Sequence, residues 1–468
     1  MSLELERSPS SFRDPSGFVF KRDGKFFRQV NRSYKDAYEL LMNGGLYDKL
    51  TSEDLLISHE DLGPNQAVTS EAHTVLKPKQ LEVLSFPYEW SFSQLKDAAL
   101  ATLKTQETAL KQNMILKDAS AYNIQFSKGK PVFIDTLSFE AYKEGTPWIA
   151  YRQFCQHFLA PLALAAYVDI RLLNLLRIHI DGIPLDLASQ LLPAKTKFKP
   201  GLLIHIHLHA KSQQKYADSS RDEKASQSLA QRAFPKNALV GLVENLKSVI
   251  EGLQWKPPAT EWGDYYSDTN YSETSFQDKK RLVKEFFEAV PGKPRLVWDL
   301  GANTGVFSRC VAENKSCQVV AADIDPVAVE KSYRQVLKAQ EENVLPLCLD
   351  LTNPSPGIGW GNDERASFFE RQQADVIIAL ALIHHLAISN NVPLEKVAGL
   401  FVKSAPNLII EFVPKSDSQV RRLLATRADV FPEYTKEGFE KAFSLYYDIV
   451  RQQPEKDTGR ILYLMRKK

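Results

Sequence analysis

The chain has 468 residues, 44% of them hydrophobic and 25% charged, which describes a globular protein with sizeable cores and more than one domain. A net charge of +2 excludes the basic imbalance that marks a general nucleic-acid surface. Cys155, Cys310, Cys317 and Cys348 form no Cys-x-x-Cys pair, so buried free thiols in a reducing cytoplasm are expected.

In chain order, residues 1–16 are polar and carry no apolar signal core. Residues 17–30 predict a hairpin turning at Arg22-Asp23-Gly24. Residues 95–110 predict a helix with Ala98, Ala99, Leu103 and Leu110 at apolar positions. The most apolar stretch, 158–178, is interrupted by Pro161, Asp169, Arg171 and Asn174, and predicts a buried helical segment instead of a membrane span. His205, His207 and His209 would share a face on a strand, where three imidazoles can bind a metal. No acidic or cysteine ligand sits beside them and a helix would make them diverge, so no metal is expected. Residues 211–232 are rich in Ser, Gln, Lys, Asp and Ala and read as a solvated linker. The expected division is 1–145 as an α+β domain, 146–210 as its helical extension, 211–234 as linker and 235–468 as a second domain.

Beyond the linker, residues 238–253 predict an amphipathic helix. An aromatic segment with Trp262, Tyr265, Tyr266 and Tyr271 follows, then a helix over 276–290. Apolar runs at 296–300, 318–322, 344–349, 376–380 and 408–413 alternate with helical patterns such as 326–340 and 394–402. That rhythm predicts an α/β fold, a parallel sheet with helices on both faces. Residues 445–451 and 460–465, joined by a polar turn with Pro454 and Gly459, break the rhythm and predict an antiparallel terminal hairpin.

The first run of this sheet leads into Asp299-Leu300-Gly301-Ala302-Asn303-Thr304-Gly305, and the second ends at Asp323. Glycines let a ligand approach the backbone, and an acid at the next strand end accepts hydrogen bonds from ribose hydroxyls. A dinucleotide fingerprint needs glycine at the first, third and sixth turn positions, which here are Gly301, Asn303 and Val306. A pyrophosphate would meet side chains, which disfavours NAD and FAD. The Gly-Lys-Ser/Thr loop of NTP sites is absent too. A phosphate-free nucleoside remains, and S-adenosylmethionine is the common one.

These elements resemble, in the right order, the cofactor motifs of class I S-adenosylmethionine-dependent methyltransferases, with their Rossmann-like seven-stranded sheet and terminal hairpin. The resemblance implies that Asp299 contacts the methionine amino group and that Gly301, Asn303 and Gly305 shape its loop. It further implies that Asp323 holds ribose, that Asp350 and Leu351 flank adenine, and that the aromatic segment with Tyr266 lids the cofactor. Residues 375–386 resemble the fourth strand and the loop beside the reaction centre. There His384 or His385 could take a proton from the acceptor, and Glu411 at the end of the fifth strand is a further acceptor contact. The plain alternatives are a packed and a backbone-bonded histidine, a strand-end acid at Asp350, and tyrosines that only pack a helix. Asp375 is expected to be structural.

Residues 115–124 and 131–135 resemble the catalytic segment of kinase-like small-molecule phosphotransferases, implying that Asp118 orients an acceptor hydroxyl and that Asn123 and Asp135 bind Mg²⁺. The usual histidine before the first aspartate is replaced by Leu116-Lys117, and no glycine-rich phosphate loop precedes it. A degenerate kinase-like half used for substrate binding or scaffolding is therefore expected. Taken end to end, with segments 85–92, 116–123, 134–139 and 411–415, the chain resembles a bacterial-type family of two-part, nodulation-related methyltransferase-like proteins.

The expected function is cytoplasmic, S-adenosylmethionine-dependent methyl transfer to an unidentified acceptor, small molecule or macromolecule, without a membrane span. The alternatives are a kinase-like phosphotransferase in the first half and a non-catalytic module that only binds the cofactor.

Overall fold

The computed structural model describes residues 5–209, 234–258, 273–425, 428–456 and 458–468. It divides into two compact units. The first comprises Met1–Leu81, Ser85–Lys256 and Gly357–Ala366; the second comprises Glu82–Leu84, Pro257–Pro356 and Ser367–Lys468.

In the first unit, β1 (Leu5–Arg7), β2 (Gly17–Arg22), β3 (Lys25–Asn31), β4 (His59–Asp61) and β5 (Ala72–Pro78) form an antiparallel sheet in the order β1-β2-β3-β5-β4. The β2–β3 turn has Asp23 and Gly24 both at positive φ, 51° and 74°, the geometry whose twist matches the flanking strands. Helix Phe92–Lys111 starts at a capping box: Ser91 N donates to Gln94 Oε1 (2.9 Å), and Gln94 N returns to Ser91 Oγ (3.4 Å). After it come β6 (Met114–Leu116), β7 (Ile124–Ser127), β8 (Lys130–Phe133) and β9 (Phe139–Ala141), paired antiparallel as β6-β9 and β7-β8. The apolar stretch after residue 150 is a series of short helical segments with Phe154, Phe158, Leu162 and Leu164 fully buried. Among the described residues, no helix is long and apolar enough to cross a membrane.

Two segments fall in the first unit that the sequence pattern assigns elsewhere. Helix Lys236–Gly252, expected to open the second domain, lays Leu239, Val243, Leu246 and Ile250 against helix Phe92–Lys111. Lys96 Nζ then donates to Glu251 O and Leu253 O, both at 2.8 Å. The excursion Gly357–Ala366 also belongs there, anchored by Glu364 to the Arg13 guanidinium at 2.7 and 2.8 Å.

The second unit holds a mixed seven-stranded sheet in the order β12-β11-β10-β13-β14-β16-β15. Its strands are β10 (Leu296–Leu300), β11 (Gln318–Asp323), β12 (Val344–Cys348), β13 (Val376–Ala379), β14 (Asn407–Phe412), β15 (Tyr447–Pro454) and β16 (Ile461–Lys467). The first five are parallel; β16 pairs antiparallel with β14, and β15 with β16. Strand order reverses at β10 and β13, and ligands of such sheets sit outside the carboxyl ends at this switch point.

Every residue of β10 is buried, as a central parallel strand covered on both faces requires. Trp298 is fully buried with Phe368 at 4.7 Å and Phe369 at 5.9 Å between ring centroids. Trp298→Ala is expected to destabilise this unit by about 3–5 kcal/mol, read as a lower urea midpoint of its transition. An unchanged midpoint would contradict the packing.

Candidate functional site

At the carboxyl end of β10 the chain reverses through three residues of left-handed backbone: Gly301 (φ 76°), Asn303 (φ 51°) and Gly305 (φ 78°). Gly301 N and Ala302 N both donate to Ala322 O, at 2.8 and 3.0 Å, which carries the β10–β11 pairing past the strand ends. Asn303 N donates to Asp323 Oδ2 (2.7 Å) and Asp325 N to Asp323 Oδ1 (2.8 Å). The turn is thus tied to the acid that closes β11. A Cβ on Gly305 would stand 2.7 Å from Arg309 Nη1 and 3.0 Å from Ser332 Oγ, so conformation and space both require glycine there.

Arg309, which carries no motif signal, clamps this turn. Its Nη1 donates to Thr304 O (2.6 Å) and Gly305 O (3.0 Å), its Nη2 to Ser332 O (3.1 Å), and its Nε to Glu341 Oε1 (2.7 Å).

Asp299 is almost wholly buried and accepts a hydrogen bond from Ser308 Oγ at 2.5 Å. Burial pushes its carboxyl up to about 7, against the lowering effect of Ser308. Burial likewise raises Asp323 to about 6, against the backbone amides of Asp325 and Asn303. Leu349 N donates to Asp323 O (2.8 Å), which brings the Asp350 segment alongside. Asp350 Oδ1 accepts from Thr352 N (2.8 Å) and Thr352 Oγ1 (2.6 Å), an Asx turn that engages one carboxylate oxygen; Leu351 is half-buried. Ile324, directly after Asp323, is 61% exposed, an apolar surface beside that acid which no sequence motif marks.

The β13 end lies against the same turn: a Cβ on Gly301 would meet Leu382 Cδ1 at 3.2 Å. Ala381 takes φ 48° and leads into His384 and His385, whose ring centroids are 4.2 Å apart. His384 is 1% exposed, and its Nδ1 has no hydrogen-bond partner among the described residues. Burial, then His385 and Arg460, holds the His384 ring well below the usual histidine range; burial and Arg460 lower His385 to about 4. Both imidazoles are neutral at physiological pH.

Glu411, expected as an acceptor contact, is fully buried. Its Oε1 meets Lys279 Nζ at 2.7 Å and Arg460 Nη1 at 3.4 Å, and its Oε2 accepts from Ala381 N. Tyr266 and the other aromatics of its segment lie outside the described residues, as does most of the 211–234 linker. Asp375 Oδ2 accepts from Arg295 N (2.7 Å) and Leu296 N (2.9 Å) at the amino end of the sheet.

In the first unit, Asp118 Oδ1 accepts from Ser120 N (2.9 Å), and Asn123 Nδ2 reaches Ser138 Oγ at 3.3 Å. Ser138 Oγ and Leu137 N donate to Asp135, whose carboxylate also pairs with Arg28. Burial raises the Asp118 carboxyl, with Asp135 adding to the rise. Lys117 bonds Asp14 (3.1 Å) and Ser16 Oγ (2.9 Å).

His205 and His207 lie on a π-type helical turn, Leu203–Leu208, which His209 caps; none of the three is on a strand. His205 sits between Tyr151 Oη (2.7 Å) and Asn245 Oδ1 (2.7 Å), and His207 between Ser189 Oγ (2.8 Å) and Thr196 Oγ1 (2.9 Å). Among the described residues, no group of three or more His, Cys, Asp or Glu side chains is placed to hold a metal ion.

Fold and site together define a two-unit α/β protein with a glycine turn and paired acids at a sheet switch point. The chain belongs to the family of the nodulation protein NoeA of Rhizobium meliloti (strain 1021). It is 38% identical to that protein over 463 residues, 98% of this chain and 95% of the relative. No family model matches it. Solved structures that resemble it include the N-methyltransferase NodS from Bradyrhizobium japonicum WM9, at 11% identity and TM-score 0.32 over 42% of this chain and 98% of that one. Magnesium protoporphyrin IX methyltransferase from Synechocystis PCC 6803, solved with bound SAH, matches at 15% identity and TM-score 0.31 over 44% and 92%. Similarity of that degree decides neither fold nor reaction.

Proposed function

We propose that the second unit binds S-adenosylmethionine and moves its methyl group to an acceptor by in-line displacement. The observation that carries this reading is the Gly301–Gly305 reversal hydrogen-bonded through Asn303 N to Asp323 at the switch point. The residues present fit the cofactor. The two Asp323 oxygens take backbone amides from Asn303, Asp325 and Ile324, and a carboxylate's four acceptor sites leave room for a ribose hydroxyl. Asp299 offers a buried acid for the methionine ammonium, and Ile324 with Asp350 and Leu351 offers an apolar face and a polar edge for adenine. When bound, the cofactor supplies an electrophilic methyl on a sulfonium. The chain's part is to orient the reactants and exclude water. Neutral His384, with its buried unpartnered Nδ1, is positioned in this reading to accept a hydrogen bond from the acceptor.

Calorimetric titration of the dialysed protein with S-adenosylmethionine or its demethylated product is expected to give saturable heat; none would remove the reading. Incubation with methyl-labelled cofactor and fractionated lysate separates an enzyme, which labels an acceptor, from a module that only reports cofactor.

The convergence of Asp118, Asn123 and Asp135 favours a kinase-like origin for the first unit as a second reading. In our reading it transfers no phosphate, because Asp135 is committed to Arg28. Mg²⁺-ATP is expected to leave the melting temperature unchanged. A rise that needs both ATP and Mg²⁺ and is lost in Asp135→Ala would show nucleotide binding at this site and favour the phosphotransfer alternative.

A further inference from the structure

A cluster of buried charges lies against the Ala381–His385 turn. Lys279 comes from helix Glu273–Glu288, Glu411 from the end of β14, and Glu455 and Arg460 from the β15–β16 connection. All four are nearly inaccessible. Lys279 Nζ bridges Glu411 Oε1 (2.7 Å) and Glu455 Oε1 (3.5 Å). Arg460 spans Glu411 Oε1 (3.4 Å) and Asp417 Oδ2 (2.9 Å). Buried ions lose their hydration, so such a cluster persists only where its geometry is well satisfied, and it is weak evidence of stabilisation in itself. What it does reach is the backbone. Ala381, a non-glycine residue in left-handed conformation, donates its N–H to Glu411 Oε2. A strained residue held by its surroundings is found where a neighbouring group must be placed. Three and four residues on stand His384 and His385.

We propose that Glu411 is a positioning residue for the reaction side of the site: braced by Lys279 and Arg460, it locks the Ala381 turn and so sets where His384 and His385 stand. Only the placement of this turn on the reaction side rests on the methyltransferase reading. The charge balance assigns Glu455 its part. Lys279 and Arg460 are matched by Glu411 and Asp417, which leaves Glu455 neutral. The Glu455 carboxyl is hydrogen-bonded to Glu411, and between two carboxyl groups such a bond needs one of them to keep its proton. Burial, then the Glu411 charge, raises it in the same sense. Among the described residues, the other ionisable groups facing the cluster include His384 and His385, kept neutral, and Tyr434, whose hydroxyl is bonded to Val413 O at 2.8 Å.

The test is amide hydrogen exchange on the full-length protein. In Glu411→Ala, exchange in the peptide spanning residues 380–386 is expected to rise at least tenfold, with the β10 and β11 peptides unchanged. Glu411→Gln keeps an acceptor for Ala381 N–H and is expected to restore most of the protection. In ¹³C-histidine spectra the His384 and His385 signals should shift in the alanine variant and return in the glutamine variant. Glu455→Gln, which mimics the protonated acid, is expected to leave exchange within twofold of wild type. Unchanged exchange in Glu411→Ala, or a rise spread evenly over the sheet, would overturn the proposal; should that variant not fold, failure of Glu411→Gln to protect the peptide would do so. Absence of cofactor heat in the wild-type protein would remove the methyltransferase reading and leave this measurement intact.

Discussion

In the proposed reading, Asp323→Ala is expected to lower the affinity for S-adenosylmethionine at least a hundredfold. Hydrogen bonds to an ionised acceptor contribute about 1.5–3 kcal/mol each, and Asp323 is placed to receive more than one from the ribose. The alanine also strands the amides of Asn303 and Asp325, which lose their carboxylate and loosen the turn on which the cofactor would lie. Asp323→Asn keeps the shape but sets an amide NH₂ against one of those donors, and is expected to weaken binding about tenfold, or about 1.4 kcal/mol. Calorimetry measures both. Folding is controlled separately. Burial of the carboxylate raises its pKa, so the ionised form costs stability at neutral pH, and the asparagine variant, which trades that cost for one mispaired amide, should melt close to wild type at pH 8. Wild-type affinity in Asp323→Ala would remove the ribose role and, with it, the strongest support for the nucleoside site.

The strands of the second unit were legible because each is a short apolar run bounded by polar or glycine residues, and the Gly301–Gly305 turn because its residue types follow from backbone conformation. Asp23-Gly24 announced the β2–β3 hairpin for the same reason. Three things were not legible. Amphipathicity shows that helix Lys236–Gly252 has an apolar face, but not which helix will cover it. The excursion Gly357–Ala366 joins the first unit through Glu364 and Arg13, and no local pattern announces a pair so distant in sequence. Lys279, Glu411, Glu455 and Arg460 meet only because the sheet folds β14 and the terminal hairpin against one helix. Glu411 therefore read as a strand-end acid facing an acceptor, when its oxygens are taken by Lys279, Arg460 and Ala381. The histidine alternation is a different case: on a helical turn a period of two does not share a face, and His205 and His207 have separate hydroxyl and amide partners.

The affinity for S-adenosylmethionine should rise with pH between about 5.5 and 7.5 and then level off. Asp299 titrates near 7 and Asp323 near 6 in the ligand-free protein, both raised first by burial. Their unfolded-state values lie near 3.9. A carboxyl raised in the folded state contributes stability that is fully present below the unfolded value and is lost as pH climbs through the folded one. The empty second unit is accordingly favoured in mild acid, where both acids hold protons. In the proposed reading the cofactor reverses the preference, because its ammonium would pair with ionised Asp299 and its ribose hydroxyls would donate to ionised Asp323. Binding must then release protons, and each proton released makes affinity climb about tenfold per pH unit below the pKa. The histidines add nothing to this slope: His385 titrates near 4 and His384 well below its usual range. Calorimetry at pH 6 in buffers of different ionisation enthalpy should detect roughly one proton released, and close to none at pH 8. Asp299→Asn should flatten the part of the profile above pH 6 and leave the lower part, which belongs to Asp323. An affinity that is level or falls across this range would mean that neither acid meets the cofactor's cation or its sugar.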